Sequence, residues 1–199
     1  MVALLWSGTV ATFQEGAAGA WQCALTAGAE MTQGRHYAEF ALHPPPPTTP
    51  DGQPPHRFLP VRQQGRIARL GVAGLSVDPF MRKGGDLWTA GRSVEGWMLS
   101  TWEGCMYHAD CRSAWQGQPE CDEIRAGDAI GMLLDLQDAT LEVFVNGERR
   151  GFLAKPGMTM DAPSSAHHGR EVARLEGPLR WAADIDAQVS INGPLPPPS

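Results

Sequence analysis

The sequence lacks any cluster of basic residues and any long apolar run. Its 199 residues carry 16 Lys and Arg against 22 Asp and Glu, which gives a formal net charge of −6 at pH 7. Nucleic acids and anionic membrane surfaces attract proteins with a basic footprint, so we expect neither as a partner. A membrane-spanning helix needs about 20 consecutive apolar residues, and no stretch of this sequence approaches that length.

The amino-terminal run "MVALLWSGTV" has no basic residue before it and is too short for the apolar part of a secretory signal peptide. Cysteines occur at four positions: Cys23, Cys105, Cys111 and Cys121. Without a secretory signal, we interpret them as free thiols in a reducing compartment. We therefore expect a cytoplasmic or otherwise intracellular protein.

The prolines are concentrated in two places. Eight of the 17 lie in "HPPPPTTPDGQPPHRFLP" (43–60), and four more lie in "GPLPPPS" (193–199). Proline cannot donate to a strand ladder, so neither segment can be a central strand or the interior of a helix. We predict a Pro-rich loop over 43–60, a disordered tail over 193–199, and a polar loop insertion over 158–177.

The remaining segments are short, apolar and often alternating, and Gly, Pro, Asp or Asn residues separate them. This pattern predicts an all-β protein, a two-sheet antiparallel β-sandwich. The sandwich would span 20–192, preceded by a lead-in strand or extension over 1–19. The predicted strands cover 36–42, 66–75, 96–104, 129–136, 140–147, 179–185 and 187–191.

The stretch 127–153, "GDAIGMLLDLQDATLEVFVNGERRGFL", carries five carboxylates that could belong to an active site. "DLQDAT" has the composition of a hairpin connection, in which Asp138 can bond its own backbone. Asn146-Gly147 is the strongest short hairpin signal. Catalytic carboxylate pairs face each other at roughly 5 to 9.5 Å, whereas these turns would scatter the acids over separate edges. We interpret them as turn formers and solvated residues, and predict neither enzyme activity nor a cofactor.

Several motifs along the chain have the spacing of a known family. Those between residues 96 and 152 are the most specific: Gly96-Trp97, Tyr107-His108, Gly127-Asp128, Gly131, Leu134-Asp135, Thr140-Leu141, Phe144 and Asn146-Gly147. They resemble the signature half of the SPRY domain family. Upstream, "GRHYAEF" resembles the family's Gly-x-x-Tyr-Trp-Glu strand, with Ala38 in place of the usual tryptophan. "RLGVAGL" and "LRWAADIDAQVSI" extend the resemblance to roughly 20–192.

The resemblance implies a SPRY-like, concanavalin-like jelly roll without a catalytic centre. It also implies a protein-binding surface built from loops at one edge, used by family members that serve as substrate receptors of ubiquitin ligases. We accordingly expect a monomeric module that binds a protein or peptide partner, as an adaptor or a substrate receptor.

Peptide-binding members of the family use a tyrosine of the Tyr-His step, which corresponds here to Tyr107. We predict that Tyr107, Trp102 and Thr101 contact the partner, with Asp184 and Asp186 as a polar rim. Tyrosine suits this role because it combines rigid contact area with a hydroxyl group. The alternative is that Tyr107 only packs on the sheet.

Two other functions are compatible with parts of the sequence. The first is a zinc site formed by Cys105, His108, Cys111 and Cys121, a ligand set that tetrahedral zinc accepts. Their spacing, C-x2-H-x2-C-x9-C, is not that of a standard zinc finger. In an extended strand, Cys105 and His108 would also point to opposite faces.

The second alternative is carbohydrate binding, because concanavalin-like sandwiches also include lectins. Three tryptophans, Trp97, Trp102 and Trp115, are candidate platforms for a stacked sugar ring. A glycan-cleaving relative would need clustered carboxylates on one strand, and the usual Glu-x-Asp-x-x-Glu arrangement is absent.

Overall fold

The computed structural model of the chain describes residues 6–7, 10–12, 22–26, 30–43, 68–77, 82–83, 86–87, 90–119, 124–125, 127–185 and 188–196. These residues form strands and one short 3₁₀ helix, Ala90–Arg92. In chain order the strands are β1 (Trp6–Ser7), β2 (Val10–Thr12), β3 (Gln22–Leu25), β4 (Arg35–His43), β5 (Ala68–Gly74), β6 (Arg82–Lys83), β7 (Asp86–Leu87), β8 (Gly96–Ser100), β9 (Met106–His108), β10 (Cys111–Ser113), β11 (Ala129–Asp135), β12 (Thr140–Val145), β13 (Glu148–Ala154), β14 (Leu179–Ile185) and β15 (Gln188–Asn192).

The strands form two main antiparallel sheets. The seven-stranded sheet has the order β1-β2-β15-β4-β11-β12-β13, and the six-stranded sheet has the order β10-β9-β8-β5-β14-β3. The remaining strands, β6 and β7, pair with each other. The predicted all-β, two-sheet antiparallel sandwich is confirmed. Within the described residues, no helix is long and apolar enough to cross a membrane.

Alternation along the strands explains the core between the sheets. Phe40 on β4 and Ile130 on β11 come from the seven-stranded sheet, while Leu70 on β5 and Leu99 on β8 come from the six-stranded sheet. Phe40 meets Trp181 of β14 edge to face, with 6.0 Å between ring centroids. Burying large apolar side chains from both sheets contributes roughly 1.5 to 3 kcal/mol each to folding, which makes this layer the main source of stability.

The carboxylates of 127–153 are distributed over separate turns and pairs, as predicted. Asn146 and Gly147 form the β12–β13 turn with positive φ angles of 52° and 81°. In the β11–β12 turn, Asp135 rather than Asp138 bonds the backbone: its Oδ1 accepts hydrogen bonds from the N–H groups of Gln137 and Asp138. Asp128 supports the neighbouring turn by accepting a hydrogen bond from Asn146 Nδ2.

Residues 158–177 form an irregular segment that contributes to the core. Met160, Val172 and Leu175 are all buried within the main apolar cluster. Short bridges join Thr159 to Glu171 and Asp161 to Ala114. The polar insertion predicted here is therefore a packed cover with polar side chains on its outer side.

The structure describes part of the second Pro-rich segment and only the first residue of the first one. Apart from His43, the predicted loop over 43–60 lies outside the described residues. In the predicted disordered tail, residues 193–196 are described, and Leu195 N donates a hydrogen bond to Tyr37 O. The predicted disorder of 193–199 stays a prediction, and within this segment Leu195 packs against Tyr37, Leu133 and Phe144.

Candidate functional site

Tyr107 occupies the middle of β9, on the outer face of the six-stranded sheet. Its strand partners are Met98 on β8 and Arg112 on β10. The ring packs against a small apolar cluster that includes Met98 and Ala90, and it remains half-buried. Tyr107 therefore has both a packed side and an accessible side.

The Tyr107 hydroxyl is held by a carboxylate. Tyr107 Oη donates to Glu103 Oε2 at 2.7 Å, while Arg112 Nη1 donates to Glu103 Oε1 at 2.6 Å. Burial alone would raise the pKa of Glu103, but hydrogen bonds from Tyr107 and Arg112 outweigh it and lower the pKa. Glu103 is thus an ionised acceptor that fixes the positions of two neighbouring side chains.

Arg69 covers one face of the Tyr107 ring. Its Cζ lies 3.7 Å from the ring centroid, a cation–π geometry. Burial and the hydrogen bond to Glu103 raise the pKa of Tyr107 to about 12, against the opposing charge of Arg69. The phenol is therefore neutral at physiological pH and acts as a hydrogen-bond donor.

The 3₁₀ helix forms the wall beside Tyr107. A Cβ atom added to Gly91 would lie 3.1 Å from Tyr107 Cβ, so a glycine at this position allows the close approach. Asp184 on β14 anchors this helix: its Oδ1 accepts from Ala90 N at 2.9 Å and its Oδ2 accepts from Gly91 N at 3.0 Å.

Asp184 is completely buried, so its predicted position on an exposed rim is wrong. Burial raises the pKa of Asp184, while the N–H groups of Gly91 and Ala90 and the charge of Arg69 oppose that rise. Asp184 therefore stabilises the site by holding the 3₁₀ helix, and it is not accessible to a ligand. The other predicted rim residue, Asp186, lies outside the described residues.

Thr101 and Trp102 differ in accessibility. Thr101 is buried, and its Oγ1 donates to Ala68 O at 2.9 Å and accepts from Ala68 N at 3.2 Å. These bonds join the turn after β8 to the start of β5, which makes Thr101 a supporting residue. Trp102 is partly exposed next to Glu103. The predicted contact of Tyr107 and Trp102 with a partner stays a prediction, whereas Thr101 is too buried to make that contact.

The candidate zinc ligands have other partners. Ala173 N donates to His108 Nε2 at 3.3 Å, so His108 Nδ1 carries the proton that is donated to Gly96 O at 2.9 Å. Cys111 Sγ contacts Ser165 Oγ at 2.8 Å. In the described part of the chain, no three potential ligands come together around one point, and Cys121 lies outside that part.

Cys105 and His108 also differ in their surroundings. Cys105 Sγ lies 3.7 Å from Glu103 Oε2, and burial together with the Glu103 charge raises the pKa of its thiol to about 12. His108 stacks on Trp97, which belongs to the core, with 5.4 Å between ring centroids. The two side chains are therefore on opposite sides of the six-stranded sheet.

Two of the three candidate sugar platforms are core residues. Trp97 and Trp115 are both buried. Their indole N–H groups donate to Ala173 O at 2.9 Å and to Gly104 O at 2.6 Å, respectively. Of the three candidate platforms, Trp102 is therefore the one that is partly exposed.

Sequence reasoning did not identify Arg69, Glu103 and Arg112 as parts of the site. Alternation places Arg69 and Arg112 on one face of their strands, but their meeting at Tyr107 depends on the strand order β10-β9-β8-β5. Glu103 is adjacent to the predicted Trp102 and lies four residues before Tyr107. That short spacing could have indicated that the carboxylate accepts a hydrogen bond from the tyrosine hydroxyl.

Comparison with known proteins identifies the fold. No family model and no curated protein sequence matches the chain. Among solved structures, it is similar to the SPRY domain of human HERC1, with 16% sequence identity and a TM-score of 0.55. The match covers 92% of this chain and 87% of that domain. The two antiparallel sheets and this match confirm the resemblance in the sequence motifs at the level of the fold: the chain has the fold of a SPRY domain.

Proposed function

We propose that this domain is a non-enzymatic protein-interaction module. It would bind a short peptide or a partner surface through the Tyr107 surface, which we define as Arg69, Trp102, Glu103, Tyr107 and Arg112. The observation that carries this proposal is the position of Tyr107, half-buried with its ring under Arg69 and its hydroxyl on Glu103.

Preorganisation is the physical argument for binding. Ordering a flexible side chain at an interface costs about 0.5 to 1.5 kcal/mol, and a side chain that is already fixed avoids this cost. Tyr107 is fixed by packing, by a cation and by a carboxylate. Tyrosine and arginine are also the residue types most often responsible for binding energy in protein interfaces.

The carboxylates near Tyr107 are engaged in ways that favour binding over catalysis. Glu103 has a lowered pKa and is held by Tyr107 and Arg112, so it is a poor general base. Asp184 is enclosed below the 3₁₀ helix, where a substrate cannot reach it. Neither group is arranged as one member of an acid/base pair.

The proposed setting is intracellular, with the domain acting as an adaptor or as a substrate receptor. Cys105 and Cys111 are buried free thiols, which fits a reducing compartment. The SPRY fold found in human HERC1 supports an interaction role by analogy of fold alone.

The test is affinity capture from a cell lysate, comparing the wild-type chain with Tyr107→Ala and Arg112→Ala. Arg35→Ala is the matched control, because Arg35 is a similarly exposed arginine in an ion pair on the other sheet. We expect Tyr107→Ala and Arg112→Ala to lose the same protein partners, while Arg35→Ala retains them. Thermal midpoints close to that of the wild type would show that the variants remain folded.

A glycan array distinguishes the carbohydrate-binding alternative. The interaction proposal predicts no sugar ligand that depends on Trp102. Strong glycan binding that is lost in Trp102→Ala, together with no captured protein, would replace the proposal with a lectin function.

A further inference from the structure

The outer face of the seven-stranded sheet carries an apolar patch unrelated to the Tyr107 surface. We call Tyr37 on β4, Leu133 on β11 and Phe144 on β12 the aromatic patch. The Tyr37 and Phe144 rings meet edge to face, with 5.9 Å between centroids. Tyr37 Oη donates to Glu39 Oε1 at 3.0 Å, which fixes the ring. The patch is thus a shaped and rigid feature of this sheet.

The described residues after β15, 193–196, contact the aromatic patch through Leu195, and we call them the covering segment. Leu195 packs against it, and Leu195 N donates to Tyr37 O at 3.0 Å. A Cβ atom on Gly193 would lie 2.9 Å from Ala38 Cβ, so a glycine there lets the chain lie close to β4. The chain itself therefore supplies an example of what the patch binds.

The contact follows directly on the pairing of β15 with β4. β15 pairs with β4 as far as Asn192 opposite Glu39, and Tyr37 lies two residues further along the same edge of β4. Leu195 continues along this edge after β15 has ended. A main-chain hydrogen bond gives a docked segment affinity, and a side-chain pocket gives it specificity. Here the main-chain acceptor is Tyr37 O and the pocket is the aromatic patch.

The flanking prolines determine which residue makes the contact. Pro194 and Pro196 have no N–H group, so Leu195 is the residue of this run that can donate to β4. The proline rings also fix the backbone angle φ, which lowers the conformational entropy lost when the segment docks. A leucine between prolines is therefore matched to one acceptor and one pocket.

The covering segment is held less firmly than a strand. Among the described residues after Asn192, its hold consists of the Leu195 hydrogen bond, the Leu195 side chain and the Gly193 approach. Leu195 also remains partly exposed. Segments with few buried contacts open at low free-energy cost, well below global unfolding. The aromatic patch can therefore be uncovered while the sandwich stays folded.

We propose that the aromatic patch and the adjacent β4 edge at Tyr37 form a second peptide-docking site, which takes a segment with a leucine between prolines. The chain's own residues 193–196 occupy this site as an internal competitor. A tethered segment has an effective concentration in the millimolar range, so a partner must compete with it. This site lies on the sheet opposite the Tyr107 surface and does not depend on that surface's function.

The test uses the full chain and a synthetic peptide, acetyl-GPLPPPS, which corresponds to residues 193–199. The variant Leu195→Asp places a charge against the patch and should displace the covering segment. NMR titration that follows the Leu133 methyl groups should give binding to Leu195→Asp that is about tenfold tighter than to the wild-type chain, because the competitor is gone. The same peptide carrying the Leu195→Asp change should not bind.

Two controls keep the result interpretable. Leu195→Ala removes the anchor without adding a charge and should give the same ranking if Leu195→Asp perturbs the fold. Tyr107→Ala added to Leu195→Asp should leave peptide binding unchanged, which separates this site from the Tyr107 surface. Equal peptide affinity for the wild type and both Leu195 variants, or no binding to a folded variant at about 1 mM peptide, would overturn the proposal.

Discussion

Arg69 and Asp184 lie directly opposite each other on β5 and β14, yet they hold different parts of the site. The Arg69 guanidinium covers the Tyr107 ring, whereas the Asp184 carboxylate holds the backbone of Ala90 and Gly91. This one cross-strand pair positions both the ring and the wall beside it. Changes at buried Asp184 should therefore alter the Tyr107 surface without removing any exposed atom.

Replacing Asp184 with alanine should destabilise the fold by about 2 to 5 kcal/mol. Two backbone N–H groups would lose their acceptor, and each buried donor left unsatisfied costs about 1 to 3 kcal/mol. Asp184→Asn should cost less, because its carbonyl oxygen still accepts one bond. Urea unfolding followed by circular dichroism measures both values. Glu176→Ala is the control, since that exposed carboxylate should change stability by less than about 0.5 kcal/mol. A similarly small effect for Asp184→Ala would contradict the anchoring role.

Replacing Glu103 with glutamine should lower the pKa of Tyr107. The chain has two tyrosines, and the pKa of each is raised to about 12. Burial remains in Glu103→Gln, but the charge that disfavours the phenolate is gone, and Arg69 still favours it. Absorbance at alkaline pH should then show Tyr107 ionising before Tyr37, with Tyr37→Phe used to assign the step. Coincident ionisation of both tyrosines would mean that Glu103 does not control Tyr107.

Replacing buried core side chains with alanine should lower the free energy of unfolding by the amounts typical of fully buried residues. Leu134 is completely buried on β11, and Leu134→Ala should destabilise the domain by about 2 to 5 kcal/mol. Trp97→Ala should cost about 3 to 5 kcal/mol, since it also removes the bond to Ala173 O. Val94→Ala, at an exposed position, serves as the control and should be nearly neutral. Chemical unfolding at constant m-value tests the ranking.

Local pattern was sufficient to predict most of the sheets, because the information lies in neighbouring residues. Alternation over 129–136 and 140–147 corresponds to β11 and β12, and the Asn146-Gly147 turn has the positive φ angles that its sequence requires. The predicted strand over 96–104 is too long: β8 ends at Ser100, where Thr101 bonds back to Ala68. That bond joins positions 33 residues apart, and no local rule contains it.

The site was harder to predict than the fold because it too depends on contacts between residues far apart in the sequence. The position of Tyr107 follows from its motif, but the cover over Asp184 comes from a short helix 94 residues earlier in the chain. Alternation indicates which face of a strand a residue occupies, and it does not indicate what covers that face. Alternation alone therefore does not predict that Asp184 is buried, and the proline content of 193–199 does not predict that Leu195 contacts Tyr37, Leu133 and Phe144.

Lowering the pH should weaken the fold through His108. Burial lowers the pKa of His108 from its ordinary 6.5, against the opposing effect of the hydrogen bond to Gly96 O, and nearby His167 lowers it further. The unfolded chain then binds a proton near pH 6.5 while the folded chain does not, so the unfolded state binds more protons between the two pKa values. Stability is fully present above about pH 6.5 and falls as the pH drops toward the folded pKa.

Stability depends on neutral His108 because the neutral ring makes two hydrogen bonds, one to Gly96 O and one from Ala173 N. Protonated His108 cannot accept from Ala173 N, and its second N–H would face that donor. The experiment is urea unfolding between about pH 7.5 and pH 5, the range in which histidines titrate. His108→Gln should flatten the fall in stability, whereas His168→Gln, at an exposed position of the 158–177 segment, should preserve it. If both variants keep the wild-type slope, the acid sensitivity of the domain arises elsewhere and His108 does not hold Ala173 in the way its geometry implies.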